Sequence, residues 1–385
     1  MTNLRRILRW LRERESAITR QVGRLVAIES SSYDRAGVNR LVDALAAEWK
    51  KRGVLVERIR RARTTERGDL LRCELRPEKS AAAGQVLVLG HTDTVYERGT
   101  LERMPFRVAG GRACGPGTLD MKAGLAIALA AVDALRAAQV EPRRRVVFLW
   151  TPDEEIGSGA SRAVIEREAR RSAAVLVLEP GTGPRGKLKT ARKGVGEFRL
   201  EVTGRAAHAG VNPESGVNAV HELALQIARV AGFGEPRRGI TVNADVVEGG
   251  TRTNVIAESA RARVDVRVER AADIPRVTAR FRRLRPILPG ARVRVSGCID
   301  RPPMERRMAE RLFEHARSVG RELGMRLEES STGGGSDGNF TAALGVPTLD
   351  GLGAVGAGAH TPGEYIRTRS LADRAALLAA LLHTL

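Results

Sequence analysis

QVLVLGHTDTV, residues 85–95, decides how the rest of this 385-residue chain is read. Gln85 to Leu89 read as a short continuous apolar run closed by Gly90. A strand covered on both faces reads as continuous hydrophobic sequence, because neither side meets water. His91 and Asp93 lie directly past it. Alternate residues of an extended segment point to one side, so imidazole and carboxylate face together at the strand's carboxyl end, where open α/β sheets build their sites. There His91 can give one ring nitrogen to a metal while Asp93 accepts from the other and fixes the tautomer. Taken alone, His-x-Asp is equally well explained as a capped strand end.

Two further runs repeat the pattern: RRRVVFLW (143–150) and AAVLVLEP (173–180) read as buried strands, with helices expected at 122–138 and 161–170. Strands alternating with helices define an α/β fold with a mainly parallel sheet. Upstream, Leu4, Ile7, Leu8, Leu11, Ile18, Val22 and Leu25 recur at helical spacing and predict one helix over 4–28. A second helix is expected at 39–51, and strands at 54–60 and 70–76. From Val195 the style changes to strand 195–203, helix 215–231, strands 240–248 and 256–268, helix 273–286 and strand 291–297. That β-α-β-β-α-β order is the split-βαβ, ferredoxin-like arrangement of a small two-layer domain. Helix 304–323, a Gly-rich loop at 333–335, strand 346–350 and helix 370–383 return to the first style. The expectation is a catalytic domain at 1–192 and 301–385, interrupted by an inserted domain at 193–300.

Composition narrows the function classes. With 42% hydrophobic and 29% charged residues, the chain is rich enough in apolar side chains to build a core. No stretch reaches the ~18 apolar residues of a membrane span, and MTNLRRILRWLRERES at the N-terminus lacks the apolar segment of a secretory signal. Its basic, amphipathic spacing reads as a packed helix with a solvated Arg face rather than a membrane-surface helix. Cys73, Cys114 and Cys298 are odd in number and far apart, which argues against a disulfide framework and for the reducing cytoplasm. A formal charge of +20 raises nucleic acid as a partner. Yet only seven of the 65 basic residues are Lys, the Arg residues are interleaved with acids, and aromatics make up 3%. No platform for stacking bases is evident, so neither nucleic acid nor membrane is expected as a partner.

The chemistry lies in the turns. Asp120, in Gly115-Pro-Gly-Thr-Leu-Asp120-Met-Lys122-Ala-Gly124, sits at the mouth of a helix. An N-cap would account for it; so would a carboxylate bridging two cations. The second strand empties into Thr151-Pro-Asp-Glu154-Glu155-Ile-Gly157. Adjacent carboxylates are costly to crowd unless a cation shares them or a proton stays on one, and ligand beside general base is a division of labour suited to metal hydrolysis. The third strand ends in Glu179, and His360 stands in a Gly-rich loop. Two histidines with several carboxylates form a nitrogen/oxygen set suited to Zn²⁺, with Co²⁺ or Mn²⁺ as alternatives. His221, His315 and His383 read as surface or packing residues. Gly333–Gly335 has no Walker spacing and is better explained by close approach of the Gly334 backbone to a substrate carboxylate.

Together these motifs resemble the co-catalytic zinc family of aminoacylases, acetylornithine deacetylases, succinyl-diaminopimelate desuccinylases and glutamate carboxypeptidases, over essentially the whole chain. GHTDTV (90–95), GPGTLDMKAG (115–124), TPDEEIGS (151–158), LEP (178–180) and GRAAHAG (204–210) carry the resemblance. STGGGSDGNF (331–340) and GAHTPGEYI (358–366) are most similar to the glutamate carboxypeptidase branch. The resemblance implies two Zn²⁺, one on His91 and Glu179, the other on Glu155 and His360, with Asp120 bridging. It implies Glu154 as general base and Asp93 as the partner of His91. It also implies a homodimer in which His208 stabilises the oxyanion in the partner's site and Asn254 contributes across the interface. Arg301, with Lys187, would bind the substrate carboxylate. The activity implied is hydrolysis of an amide bond next to a free carboxylate, in a small peptide (a glutamate-carboxypeptidase-like exopeptidase) or in an N-acyl amino acid. A non-catalytic binding protein would have no use for the full ligand set and an intact Glu154.

Overall fold

The apolar run at 85–89 lies in the middle of a six-stranded sheet in the computed structural model, which describes residues 3–62, 66–78 and 82–385. The sheet is built from β1 (Leu55–Ile59), β2 (Leu70–Leu75), β3 (Gln85–His91), β4 (Arg145–Thr151) and β5 (Ser172–Val177), in the order β1-β2-β4-β3-β5, with Thr348–Leu349 beyond β5. β3 runs parallel to β4 and β5, whereas β2 is antiparallel to β1 and β4. Every residue of β3 is buried, as its unbroken apolar sequence requires. Register pairs His91 with Thr151, and the Thr92 amide donates to the Thr151 carbonyl at 2.7 Å. The two strands therefore end level, so the turns that follow them lie side by side.

Helices cover the sheet. α1 (Asn3–Arg12) and α2 (Glu15–Val26) replace the single helix expected over 4–28. The break at Glu13–Arg14 has no proline or glycine to announce it, and the apolar stripe on both sides is buried as its spacing predicts. α3 (Arg35–Lys51) starts four residues before the apolar spacing, because the Asp34 side chain caps it by accepting from the Gly37 amide at 3.0 Å. In α4 (Ala123–Ala137) twelve of fifteen residues are buried, so it is an enclosed helix rather than an amphipathic one. Its alanines let α1, α2 and the C-terminal helix approach closely. Trp49 of α3 packs against Phe148 and Trp150 of β4, with ring centroids 4.5 and 6.2 Å away. α5 (Arg162–Ala169) joins β4 to β5.

A second compact unit comprises Arg192–Glu305 and Thr332–Gly335. Its elements run β6 (Gly194–Thr203), α6 (Ala219–Ala231), β7 (Thr241–Gly249), β8 (Ser259–Val268), α7 (Ile274–Arg282) and β9 (Arg292–Arg301). The strands form an antiparallel sheet in the order β7-β8-β6-β9. Burial alternates along β6 and β8 because α6 and α7 cover one face only. Phe281 of α7 stacks on Phe198 of β6 at 4.0 Å, and Phe233 meets it edge-on at 5.3 Å. α6 begins at Ala219, not at 215: Asn218 caps it by accepting from the Val220 and His221 amides, while Pro213–Ser215 makes a short turn of its own. The Gly-rich loop joins this unit because buried Arg192 donates to the Gly334 and Gly335 carbonyls at 3.1 and 2.9 Å. Arg267 donates to the Gly333 carbonyl at 3.2 Å.

α8 (Arg306–Glu322), α9 (Gly338–Ala343), β10 (Thr348–Leu349) and α10 (Thr368–Thr384) complete the first unit. No helix among the described residues is long and apolar enough to cross a membrane. Emptying the aromatic stack tests the independence of the second core: Phe281→Ala should cost that unit about 3–5 kcal/mol, read by urea denaturation, while metal content stays unchanged.

Candidate metal centre

Five side chains from distant segments of the first unit converge at the carboxyl ends of β3, β4 and β5. His91 Nε2 lies 3.1 Å from Asp120 Oδ1 and 3.5 Å from Glu179 Oε1. His360 Nε2 lies 3.3 Å from both Asp120 Oδ2 and Glu155 Oε2. Each trio, His91–Asp120–Glu179 and Asp120–Glu155–His360, has its ligand atoms within 4.8 Å of one another. Asp120 thus turns one oxygen to each group. Glu155 Oε1 is buried without a hydrogen-bond partner, a costly state that a divalent cation would relieve. Imidazole nitrogen with carboxylate oxygen is the donor chemistry of zinc and its neighbours, so the residues present fit a metal.

Asp93 holds the site in a way the sequence did not indicate. His91 Nδ1 lies closest to the Asp93 main-chain carbonyl, at 2.9 Å, and 3.4 Å from the carboxylate. With Nδ1–H committed there, a neutral ring leaves the Nε2 lone pair for a metal. The Asp93 carboxylate accepts from the Glu154 and Glu155 amides, each at 3.2 Å, and from Ser32 Oγ at 2.7 Å. One buried acid therefore orients the histidine through its backbone and the glutamate pair through its side chain.

The Asp120 loop has its own anchor. Glu364 is fully buried; its Oε1 accepts from the Leu119 and Asp120 amides at 2.6 and 3.0 Å. Its Oε2 accepts from the Gly117 amide at 3.2 Å and from the Tyr96 hydroxyl at 2.6 Å. Nothing in the GAHTPGEYI segment (358–366) taken by itself gives Glu364 a role; the signal for it is a run of glycine-loop amides needing an acceptor. Gly117 adopts φ +68°, and a β-carbon there would sit 2.5 Å from Thr94 Cγ2, so only glycine fits. The Asp120–Met121 peptide is cis.

Electrostatics follow from the crowding. Burial opposes charge on His91, but hydrogen bonds to Asp120, Asp93 and Glu179 outweigh it and hold the ring well above the ordinary histidine range. Asp120 and then Glu155 raise His360 to about 10. Burial opposes charge on Asp120 as well, yet the two histidines hold it far below the usual carboxylate range. Glu155 is pushed up, by burial first and then by the charges of Asp120 and Glu154, against the pull of His360. Burial and Glu364 raise the Tyr96 phenol, which stays a donor. Lys122, buried beside this loop, gives Nζ to the Ile28 carbonyl at 2.7 Å, and burial lowers it to about 7.

The remaining expected site residues fall elsewhere. His208, exposed in the second unit, accepts at Nδ1 from the Gly210 and Val211 amides at 3.1 and 3.2 Å. That leaves Nε2 as the donor position of the ring. The Ala209 amide donates to the Asn254 carbonyl at 3.0 Å, making the His208 and Asn254 loops neighbours. Arg301, buried at the end of β9, is crossed so closely by Gly335 that a β-carbon there would lie 2.7 Å from Arg301 Cδ. Arg301 thus lies against Gly335, and the neighbouring Gly334 carbonyl is held by Arg192. Lys187 belongs to the first unit and pairs with Glu328 at 3.1 Å, outside both ligand trios. His315 and His383 bond to Thr384 Oγ1 and to the Glu141 carbonyl, both at 2.8 Å, outside both trios.

Paired imidazole–carboxylate trios sharing one aspartate at the ends of parallel strands define a metal-dependent hydrolase. The chain belongs to peptidase family M20/M25/M40, which it matches over residues 87–384. It is 31% identical to carboxypeptidase G2 of Pseudomonas sp. (strain RS-16), over 96% of this chain and 89% of that protein. It is 29% identical to succinyl-diaminopimelate desuccinylase of Dechloromonas aromatica (strain RCB), over 94% and 97% respectively. Among solved structures, aminopeptidase PepT from Bacillus cereus ATCC 10987 shares the fold, with TM-score 0.80, 24% identity and coverage of 96% and 98%. The chain is accordingly an enzyme, a metal-dependent amidohydrolase of the carboxypeptidase class.

Metal ligation needs neutral imidazoles, whereas the metal-free site keeps both protonated. Groups raised on folding stabilise below their unfolded value, ~6.5 for histidine, and that stability is lost as pH climbs toward about 10 for His360. The raised Glu155 follows the same trend; Asp120, depressed, loses its contribution only in strong acid. Chelated protein should therefore melt progressively lower above neutrality while metal affinity rises. Calorimetry in buffers of different ionisation enthalpy should show protons released on metal binding near pH ~7. Proton-neutral binding would contradict this charge assignment.

Proposed function

We propose that the enzyme is a glutamate-carboxypeptidase-like exopeptidase that works with two Zn²⁺ as a cytoplasmic homodimer. The observation that carries the two-metal reading is Asp120, with one oxygen turned to each imidazole trio. His91 and Glu179 would hold one ion, Glu155 and His360 the other, and Asp120 both. Bound there, the ions would supply Lewis-acid polarisation and an acidified water. Glu154 then takes the proton of the attacking water and delivers it to the departing amine, kept in place by the grip of Asp93 on its amide. His208, with its proton on Nε2, donates to the developing oxyanion in the partner subunit's site. Arg301, Asn254 and the Gly334 backbone hold the substrate carboxylate; Lys187 would have to give up Glu328 to join them. The inserted domain acts as lid and dimer surface, flanked by the two catalytic segments. Three separate free cysteines, one buried and one exposed, suit a reducing compartment.

Hydrolysis of an N-acyl amino acid is the second reading, supported by the near-complete span shared with the desuccinylase. A panel of N-acyl-glutamate, N-acyl-arginine and dipeptides, with and without chelator, separates the two: release of acidic C-terminal residues favours the exopeptidase. Hydrolysis unaffected by chelation would defeat both. Glu154→Gln should retain its metal and lose roughly 10²–10⁴-fold in kcat, read by elemental analysis alongside turnover. His208→Ala should also be nearly inactive, yet mixing its subunits with Glu154→Gln subunits should restore activity. Failure of mixed dimers to recover would remove the cross-subunit role of His208.

A further inference from the structure

We propose that Glu364, together with Tyr96, is a positioning residue that sets the bridging orientation of Asp120 and so governs retention of the ion at Asp120–Glu155–His360. The inference rests on the two-metal reading above. Glu364 is fully buried, and among the described residues its carboxylate meets no cation within ion-pair distance. Its partners are neutral donors: the amides of Gly117, Leu119 and Asp120, and the Tyr96 hydroxyl. A carboxylate can accept on both oxygens without donating, which matches four donors converging on two atoms. The isosteric amide cannot, because its NH₂ would face an N–H.

The placement of these partners gives the group its reach. Asp120, at φ −116° and ψ 96°, and Met121 after it both depart from helical φ/ψ within the Thr118–Lys122 turn, so the Asp120 amide needs an acceptor from outside the turn. Glu364 supplies it and fixes the Asp120 backbone, while the Asp120 side chain divides between His91 and His360. Glu364 also lies four residues beyond His360 in the same loop. The Tyr96 hydroxyl lies 2.9 Å from the Thr361 carbonyl as well as 2.6 Å from Glu364, tying the segment after His91 and Asp93 to the His360 loop. The two trios depend on this group unequally. His91 and Glu179 are set by β3 and by the end of β5, whereas Glu155's partners, Asp120 and His360, both sit on segments that Glu364 joins.

The test is a zinc titration of Glu364→Gln, Tyr96→Phe and the unchanged enzyme, each freed of metal first. The unchanged enzyme should take two equivalents. Glu364→Gln should keep one tight equivalent and bind the other roughly 10–100-fold more weakly. Its kcat should fall with KM nearly unchanged, and added zinc should restore kcat, a rescue that a generally loosened fold would not give. Tyr96→Phe, which keeps the three amide contacts, should weaken the same equivalent by a smaller factor and decides the matter if Glu364→Gln does not fold. Two equivalents bound as tightly as in the unchanged enzyme would overturn the inference, as would equal weakening of both or a loss of kcat that zinc does not restore. If the unchanged enzyme binds fewer than two ions, the two-metal reading itself fails.

Discussion

The centre is governed by an excess of negative charge in two ligand trios that contain no permanent cation of their own. Asp120, Glu155 and Glu179 meet around two histidines, with Glu154 adjacent, and the only positive charge within either trio in the metal-free chain is a proton on each ring. The raised histidines, the depressed Asp120 and the elevated Glu155 are three expressions of that shortage. Divalent cations would remove it, and they would also satisfy the Glu155 oxygen left without a partner. The sheet brings the charges together: β3 and β4 end level, so hydrophobic burial of the strands drives the acids into proximity they would not choose in water.

What the sequence made legible was local. The continuous apolar strands, the split-βαβ order of the inserted unit and the candidate ligands at strand ends and in loops all follow from short-range pattern, and each candidate ligand lies within three residues of a glycine or proline that breaks the pattern. What stayed hidden were partners supplied from far away. Asp93 reads as a companion of His91, but its carboxylate serves amides 61 and 62 residues on. Glu364 reaches back 244 residues to the Asp120 amide. Arg192 claims the Gly334 carbonyl 142 residues away and draws that loop into the inserted unit. No periodicity encodes such bonds, because which backbone groups lack an acceptor is settled only when the loops are folded. The start of α6 differs for a smaller reason: Asn218 caps a helix that apolar spacing alone begins earlier.

The choice of donors around the centre is itself informative in a chain with so much arginine. Elsewhere in the first unit several buried acids are paired with guanidinium groups: Arg58 with Asp69 and Arg72 with Glu74, both at 2.7 Å, and Arg72 with Glu168 at 3.4 Å, although Asp153 accepts from the Ala160 amide and the Ser161 hydroxyl. Asp93 and Glu364 are equally buried but take backbone amides and hydroxyls instead. A guanidinium there would fix the loops at least as firmly. It would also place a full positive charge beside the ligands, cancel the field that attracts a dication and lower the basicity of Glu154. Amides and hydroxyls bring geometric order with only partial charges. Lys122, buried beside the Asp120 loop, spends its ammonium on the Ile28 carbonyl and is pushed by burial toward the neutral form. The supporting shell thus rigidifies the site while leaving its negative charge for the metal, which is why the acids that hold the loops have to be identified by the amides they collect rather than by an ion pair.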